Sequence, residues 1–150
     1  FMLFALYGQG LLVLHERQTR FNIVQRPVDR KAVLTARTIA RRLGKLPQAI
    51  RKTISFDNGT EFAEHHRLHK TLGVQTFFRD PHSPWQKGGV ENSIGRLRRS
   101  LPRKTDLNSI TEAALKRHVQ RLNDTPRKCL DFQTPAEAFS KLKSIVALQT

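Results

Sequence analysis

Two acidic residues stand where a carboxylate can do chemistry. Asp57 opens DNGTEF directly after the apolar run KTISF (52–56), which places it at the C-terminal edge of a strand, where ligands gather in α/β sheets. Glu91 follows the pair Gly88-Gly89 in the first turn of a helix. The 33 residues between them hold one helix, one strand and one loop, enough chain to leave a sheet edge and bring a second carboxylate back to it. Carboxylate oxygens are ligands for Mg²⁺ or Mn²⁺, and the Lys and Arg around them suit a phosphate backbone. Two such ions activate an attacking oxygen and stabilise a leaving one, which is phosphoryl-transfer chemistry on nucleic acid. A purely local reading also exists: Asp57 makes a turn with Asn58-Gly59, and Glu91 favours the positive end of its helix. On those two residues alone the local reading is at least as good.

The rest of the composition favours the chemical one. The chain has 150 residues, with 27 Lys and Arg against 12 Asp and Glu, a formal net charge of +15 and a pI near 11.3. That length suits one domain with a core of its own. Apolar residues make up 38% of it, low for a compact domain yet above a disordered tail. The basic residues run from Arg17 to Lys143 without forming one block, so the charge belongs to a folded surface, and nucleic acid is the default partner for it. The longest apolar stretch, 1–7, is far too short to cross a bilayer. It has no basic lead-in and no cleavage site, so it reads as strand and not as signal peptide. One cysteine, Cys129, excludes an internal disulfide framework, fits a reducing cytoplasm and reads as a small core residue.

The elements that must position the carboxylates follow from the pattern. A first strand begins at Phe1, and 11–16 and 20–26 form a hairpin closed by Arg17-Gln18-Thr19. Apolar residues at Val33, Ala36, Ile39, Ala40 and Leu43 predict an amphipathic helix over 32–43, stopped by Gly44. The strand 52–56 precedes a helix carrying Phe62, His66, His69 and Leu72, ended by Gly73, and 74–78 is the next strand. Residues 79–89 form a loop with two Pro, two Gly and Trp85. Helices are expected over 90–101, 110–123 and 136–142, the last opened by Thr134-Pro135. The order implies an α/β fold with a mixed sheet flanked by helices, and the hairpin rules out an all-parallel sheet. No GxGxxG or GxxxxGK[ST] occurs, so dinucleotide and P-loop chemistry lack support.

The words LHERQTRF, SFDNGTEFAEH, DPHSPWQKGGVENSIGRLRRSLP, LNDTPRKCL and TPAEAF, in this order and spacing, cover nearly the whole chain. They resemble the catalytic core of DDE-type transposases and retroviral-type integrases, and most of all the bacterial insertion-sequence transposases of the IS-thirty type. The second and third words are highly specific. The resemblance implies a ribonuclease-H-like fold, two divalent ions (Mg²⁺ or Mn²⁺), and strand transfer of DNA ends by in-line attack on phosphodiesters. It matches Asp57 to the family's second catalytic aspartate and Glu91 to its glutamate, both as metal ligands. Arg98, seven positions after Glu91 and so about two turns along the same helix face, matches a basic residue expected to contact DNA. The family's first aspartate belongs on the first strand, a short way before LHERQTRF, and no Asp occurs here before Asp29. The family pattern places it just ahead of residue 1. The expectation is an N-terminally truncated core over 1–142 with a tail over 143–150, inactive as it stands. It would lack the helix-turn-helix region that reads the element's ends. The resemblance further implies transposon-end and target DNA as partners, a homo-oligomer in the intact protein, and a cytoplasmic location at the bacterial nucleoid, with no membrane contact.

Other residues join this reading less directly. Lys87, Arg96, Arg98 and Arg99 are expected to face phosphate because they flank or follow the glutamate on one helix. Trp85, beside Gln86, is placed either to stack on a frayed base or, equally, to anchor its loop. His65, His66 and His69 share a stretch without the fourth ligand that a structural zinc site needs, so a solvated helix accounts for them better. Two alternatives stay open: a non-catalytic DNA-binding module that keeps the fold, and a basic RNA-binding protein. The words around Asp57 and Glu91 have no role in the second.

Overall fold

The computed structural model describes residues 1–5, 8–80 and 88–147. The chain divides into two compact units, Phe1–Arg26 with Lys87–Lys141, and Pro27–Gln86 with Leu142–Thr150.

In the first unit, β1 (Met2–Leu3), β2 (Gly10–His15) and β3 (Asn22–Gln25) form an antiparallel sheet in that order, with Met2 opposite Leu11 and Val13 opposite Val24. The hairpin turn is held by one side chain. The Glu16 carboxylate accepts from the amides of Gln18 (2.9 Å) and Thr19 (2.6 Å) and from the Thr19 hydroxyl. Burial alone would raise its pKa, but these donors outweigh it and hold the carboxyl below the usual range. Arg20 then takes a left-handed conformation (φ 61°) that starts the return strand.

Two helices of this unit, α3 (Gly88–Arg98) and α4 (Glu112–Asn123), pack on the sheet. Met2, Phe4, Leu11 and Val13 meet Leu97, Leu101, Leu107, Leu115 and Leu122 in one buried cluster. The Thr111 hydroxyl caps α4 by accepting from Ala114 N. Thr134 and Glu137 form a reciprocal capping box at the start of α5 (Pro135–Ala147). That last helix runs five residues beyond its expected end at Leu142. Nothing in Lys143-Ser144-Ile145-Val146-Ala147 breaks a helix, and Val146 is buried seven positions after buried Phe139.

In the second unit, β4 (Thr53–Phe56) and β5 (Gln75–Phe78) pair in parallel, from Thr53 opposite Gln75 to Phe56 opposite Phe78. Helix α1 (Ala32–Leu43) buries Thr35, Ala36 and Ile39 and packs against α2 (His66–Leu72). The expected helix at Phe62 begins later: Thr60–Phe62 is a 3-10 turn, and Phe62 leaves the helical register to bury its ring. Gly73 ends α2 in the left-handed region (φ 65°), a conformation glycine adopts without strain. Antiparallel and parallel pairing are both present, as an α/β fold with a mixed strand arrangement requires, divided among the described residues between two sheets.

Candidate active site and nucleic-acid interface

Asp57 leaves the end of β4 on a rigid support. The Phe56 ring stacks on Phe62 at 4.6 Å between centroids and lies 5.9 Å from Phe78, and its carbonyl accepts from Arg79 N at 3.0 Å. The Asn58 amide donates across the loop to the Arg79 carbonyl at 3.3 Å. Both strand ends and the Asp57–Gly59 turn are therefore tied together. Within this support, Oδ1 of Asp57 is buried and has no hydrogen-bond partner. A buried carboxylate oxygen without a donor or a cation is costly, and a hard divalent cation is the partner its chemistry fits. Among the described residues, no group of three or more His, Cys, Asp and Glu is gathered for a metal.

The nearby histidines serve other ends. Nδ1 of His65 lies 2.8 Å from the Thr76 hydroxyl, and its ring meets Phe78 edge-on at 4.8 Å, so it ties the approach to α2 onto β5. His66 is exposed and lies 3.5 Å from Glu64, whose carboxyl the Arg67 hydrogen bond, above all, holds below its usual pKa range.

Glu91 is an exposed residue in the first turn of α3, in the other unit. What fixes that turn is a buried polar network. His15 Nδ1 lies 3.0 Å from Asn22 Oδ1 and 3.1 Å from Ser93 Oγ. The Asn22 oxygen can only accept, so Nδ1 carries the proton and Nε2 is left bare, buried and without a partner. Burial lowers the His15 pKa, and the charge of Arg20 adds to the effect, against the opposing Asn22 bond. Gly89 lies directly over this ring: a Cβ there would stand 2.9 Å from Nε2 and 3.2 Å from Cδ2. The start of α3, and with it Glu91, is thus seated on β2 by a glycine contact and a serine hydrogen bond.

The basic residues on α3 divide by environment. Arg98, on the Glu91 face, donates to the Leu3 carbonyl and lies 4.7 Å above the Phe4 ring, with Nη1 buried and unpartnered. Burial, and then the charge of Arg103, lowers its pKa. Arg96 is exposed and its Nε donates to Asn92 Oδ1 at 2.8 Å, while Arg99 is exposed just past the helix end. Trp85 and Lys87 lie outside the described residues. Of the expected site residues, then, Glu91, Arg96, Arg98 and Arg99 stand together on or beside one helix, and Asp57 stands in the second unit.

No family model matches the chain. Over 131 residues it is 34% identical to the transposase InsI of insertion sequence element IS30A from Escherichia coli K12, a match covering 87% of this chain and 34% of that protein. Over 130 residues it is 35% identical to the transposase of insertion sequence element IS1086 from Cupriavidus metallidurans, covering 87% and 38%. The chain is a relative of the IS30-type transposases. It spans little more than a third of these relatives' own length. Its fold matches a solved structure, the catalytic core domain of BIV integrase, with a TM-score of 0.70 at 22% identity, over 94% of this chain and 91% of that one. The α/β fold is thus that of an integrase catalytic core, ribonuclease-H-like as expected.

In this IS30-type relative, the words that carry the resemblance are partners in packing. LHERQTRF supplies His15 and the Glu16 turn, GGVENS supplies Gly89 and Ser93, and LNDTP supplies Asn123. Asn22 N donates to Asn123 Oδ1 at 3.0 Å, and Asn123 Nδ2 donates to the Asn22 carbonyl at 2.9 Å. Sequence reasoning missed His15, Asn22, Ser93 and Asn123. The available signal was polar residues in apolar runs: Asn22 inside FNIV and Asn123 after Leu122 on a core-facing helix. Cys129 corrects an expectation: it is exposed, not a core residue, because the 3-10 turn Lys128–Leu130 lies on the surface and buries none of its three side chains. Among the described residues, no helix is long and apolar enough to cross a membrane.

Proposed function

We propose that this chain is the strand-transfer core of a transposase, acting on DNA by metal-dependent attack on phosphodiesters. The observation that carries this reading is the buried, unpartnered Asp57 oxygen at the end of β4, in the word that the family uses for a catalytic aspartate. Asp57 and Glu91 would hold Mg²⁺ or Mn²⁺, two ions in the intact family site. Held there, they would supply Lewis-acid stabilisation of the attacking and leaving oxygens. The chain's own residues do the rest. The Phe56, Phe62 and Phe78 rings and the Asn58 amide fix the strand end and the turn that carry Asp57. His15 and Ser93 hold the helix start that presents Glu91. Arg98 keeps an unpartnered Nη1, and Arg96 and Arg99 are exposed to take backbone phosphates; Lys87 and Trp85, outside the described residues, are proposed as further DNA contacts. The core proposed over 1–142 continues through α5 to Ala147, within the C-terminal segment 143–150. Transposon-end and target DNA are its partners, a homo-oligomer is its working form, and the bacterial nucleoid its location.

The test is joining of a labelled DNA end to a target in Mg²⁺ or Mn²⁺ by the full-length protein that contains this core. Joining is expected, and Asp57→Asn and Glu91→Gln should each abolish it. Joining that survives either substitution overturns the assignment. Salt-dependent DNA binding without joining at any metal concentration would reduce the chain to a binding module.

A further inference from the structure

The first unit carries a cleft of about 250 Å³ between the C-terminal halves of α3 and α4. Five of its lining residues are cationic or can become so: Arg96, Arg99, His118, Arg121 and Arg127. No carboxylate lines it, and none of the four arginines is ion-paired with one among the described residues. Four guanidinium groups around one cleft repel one another unless an anion sits among them.

Arg127 shows that this is a built site and not merely a charged surface. It is 8% exposed, and its backbone is pinned on both sides: Arg127 N donates to the Gln133 carbonyl at 3.0 Å, and its own carbonyl accepts from Leu130 and Phe132. Nη2 donates to the Leu122 carbonyl at 2.9 Å near the end of α4, while Nη1 is buried and has no acceptor. Capping α4 accounts for one nitrogen only. Burial, and then the charge of Arg96, lowers the Arg127 pKa. Leu97 and Leu122 supply apolar wall to the cleft, which strengthens any charge-assisted hydrogen bond made there.

We propose that this cleft binds a phosphate group, held by Arg127 Nη1 with Arg96, Arg99 and Arg121, and that the phosphate belongs to a nucleic-acid backbone. The nucleic-acid source rests on the transposase reading above; the phosphate site does not. Arg96 and Arg99 then act as two sides of a defined pocket, and Arg121 and Arg127 join the DNA surface from α4 and the segment after it. Bidentate geometry makes arginine the suited residue for such an oxyanion.

Two titrations of the full chain test this, one with inorganic phosphate and one with a short DNA duplex. Each is read by NMR at the arginine Nε–H groups and at His118, with duplex affinity also measured across a salt series. Both ligands should shift the Arg127 and Arg121 signals. Exposed Arg121→Gln should weaken duplex binding several-fold and lower the salt slope by about 0.9, the release of one phosphate contact. Arg37→Gln on α1, outside the cleft, should leave the slope unchanged. Arg127→Lys, which can keep the Leu122 contact, should lose the phosphate shift at Arg121, and the exposed Arg121 variant stands as the test if that buried change disturbs folding. Phosphate shifts at the cleft with no duplex binding at all would uphold the phosphate site and overturn the DNA reading. Shifts with phosphate but an Arg121→Gln salt slope like that of Arg37→Gln would overturn the nucleic-acid source. No shift at Arg127 or Arg121 with either ligand overturns the proposal.

Discussion

Replacing Asn123 by Ala should cost far more than a polar substitution near a helix end normally does. The N–H and C=O of Asn22 face the Asn123 side chain, which accepts from one at 3.0 Å and donates to the other at 2.9 Å, as a neighbouring strand would. Asn22 is 1% exposed and Asn123 5% exposed, so neither group can turn to bulk water. Truncation leaves one buried N–H and one buried C=O unpaired. At about 1–3 kcal/mol each the pair is worth roughly 2–6 kcal/mol. Water entering the space vacated by the amide recovers part of this, which leaves about 2–4 kcal/mol. With an m-value of about 1.5 kcal/mol/M in urea, the unfolding midpoint followed by far-UV circular dichroism should fall by about 1.3–2.7 M at unchanged slope. Exposed Gln120→Ala on the same helix should stay within about 0.5 kcal/mol of the parent. An Asn123→Ala midpoint equal to that of Gln120→Ala would show that these two bonds do not hold β3 to α4.

Three further outcomes follow from the same network and its neighbours. Gly89→Ala should lower the thermal midpoint by overpacking, at a cost of about 1–3 kcal/mol, since its Cβ meets a His15 ring already held by two polar contacts; an unchanged midpoint would contradict that seat for α3. His15 is held neutral, with its pKa lowered by burial, so its contribution to stability is complete above its ordinary value of 6.5 and is lost as the pH falls toward the lowered folded value. Urea midpoints should therefore drop between about pH 7.5 and 5.5 in the parent, and the drop should shrink in His15→Gln; equal drops would refute it. Glu16→Gln should destabilise the hairpin turn by about 1–3 kcal/mol, because the carboxylate accepts three hydrogen bonds at once, and a midpoint within error of the parent would count against it.

Local pattern carried much of this fold into view. The helix over 32–43 shows the expected bounds because its apolar stripe is regular and Gly44 follows it. The β2–β3 hairpin is legible from two β-branched and leucine-rich runs around a polar turn. Elements whose ends depend on tertiary contacts are less legible. Phe62 fits a helical spacing, yet stacking on Phe56 draws it into a 3-10 turn, and α2 starts four residues later. Ile110 fits the α4 pattern, but the Thr111 hydroxyl caps the helix and Glu112 begins it. Within the site, acids in a basic chain are conspicuous, so Asp57 and Glu91 stand out by type and spacing. The residues that seat the helix carrying Glu91 do not. His15, Asn22, Ser93 and Asn123 acquire meaning only when β2, β3, α3 and α4 meet, since their partners lie up to 101 positions away.

In the function proposed, the scarce carboxylates hold metal while the surplus bases hold DNA, and Asp57 is the residue on which the metal half turns. Mn²⁺ titrated into the ¹⁵N-labelled chain broadens the amides nearest the ion. Asp57, Asn58 and Gly59 should broaden at the lowest Mn²⁺ concentration, and Asp57→Asn should remove the effect there while leaving the remaining spectrum in place. Broadening that spares this turn, or that persists unchanged in Asp57→Asn, would contradict it.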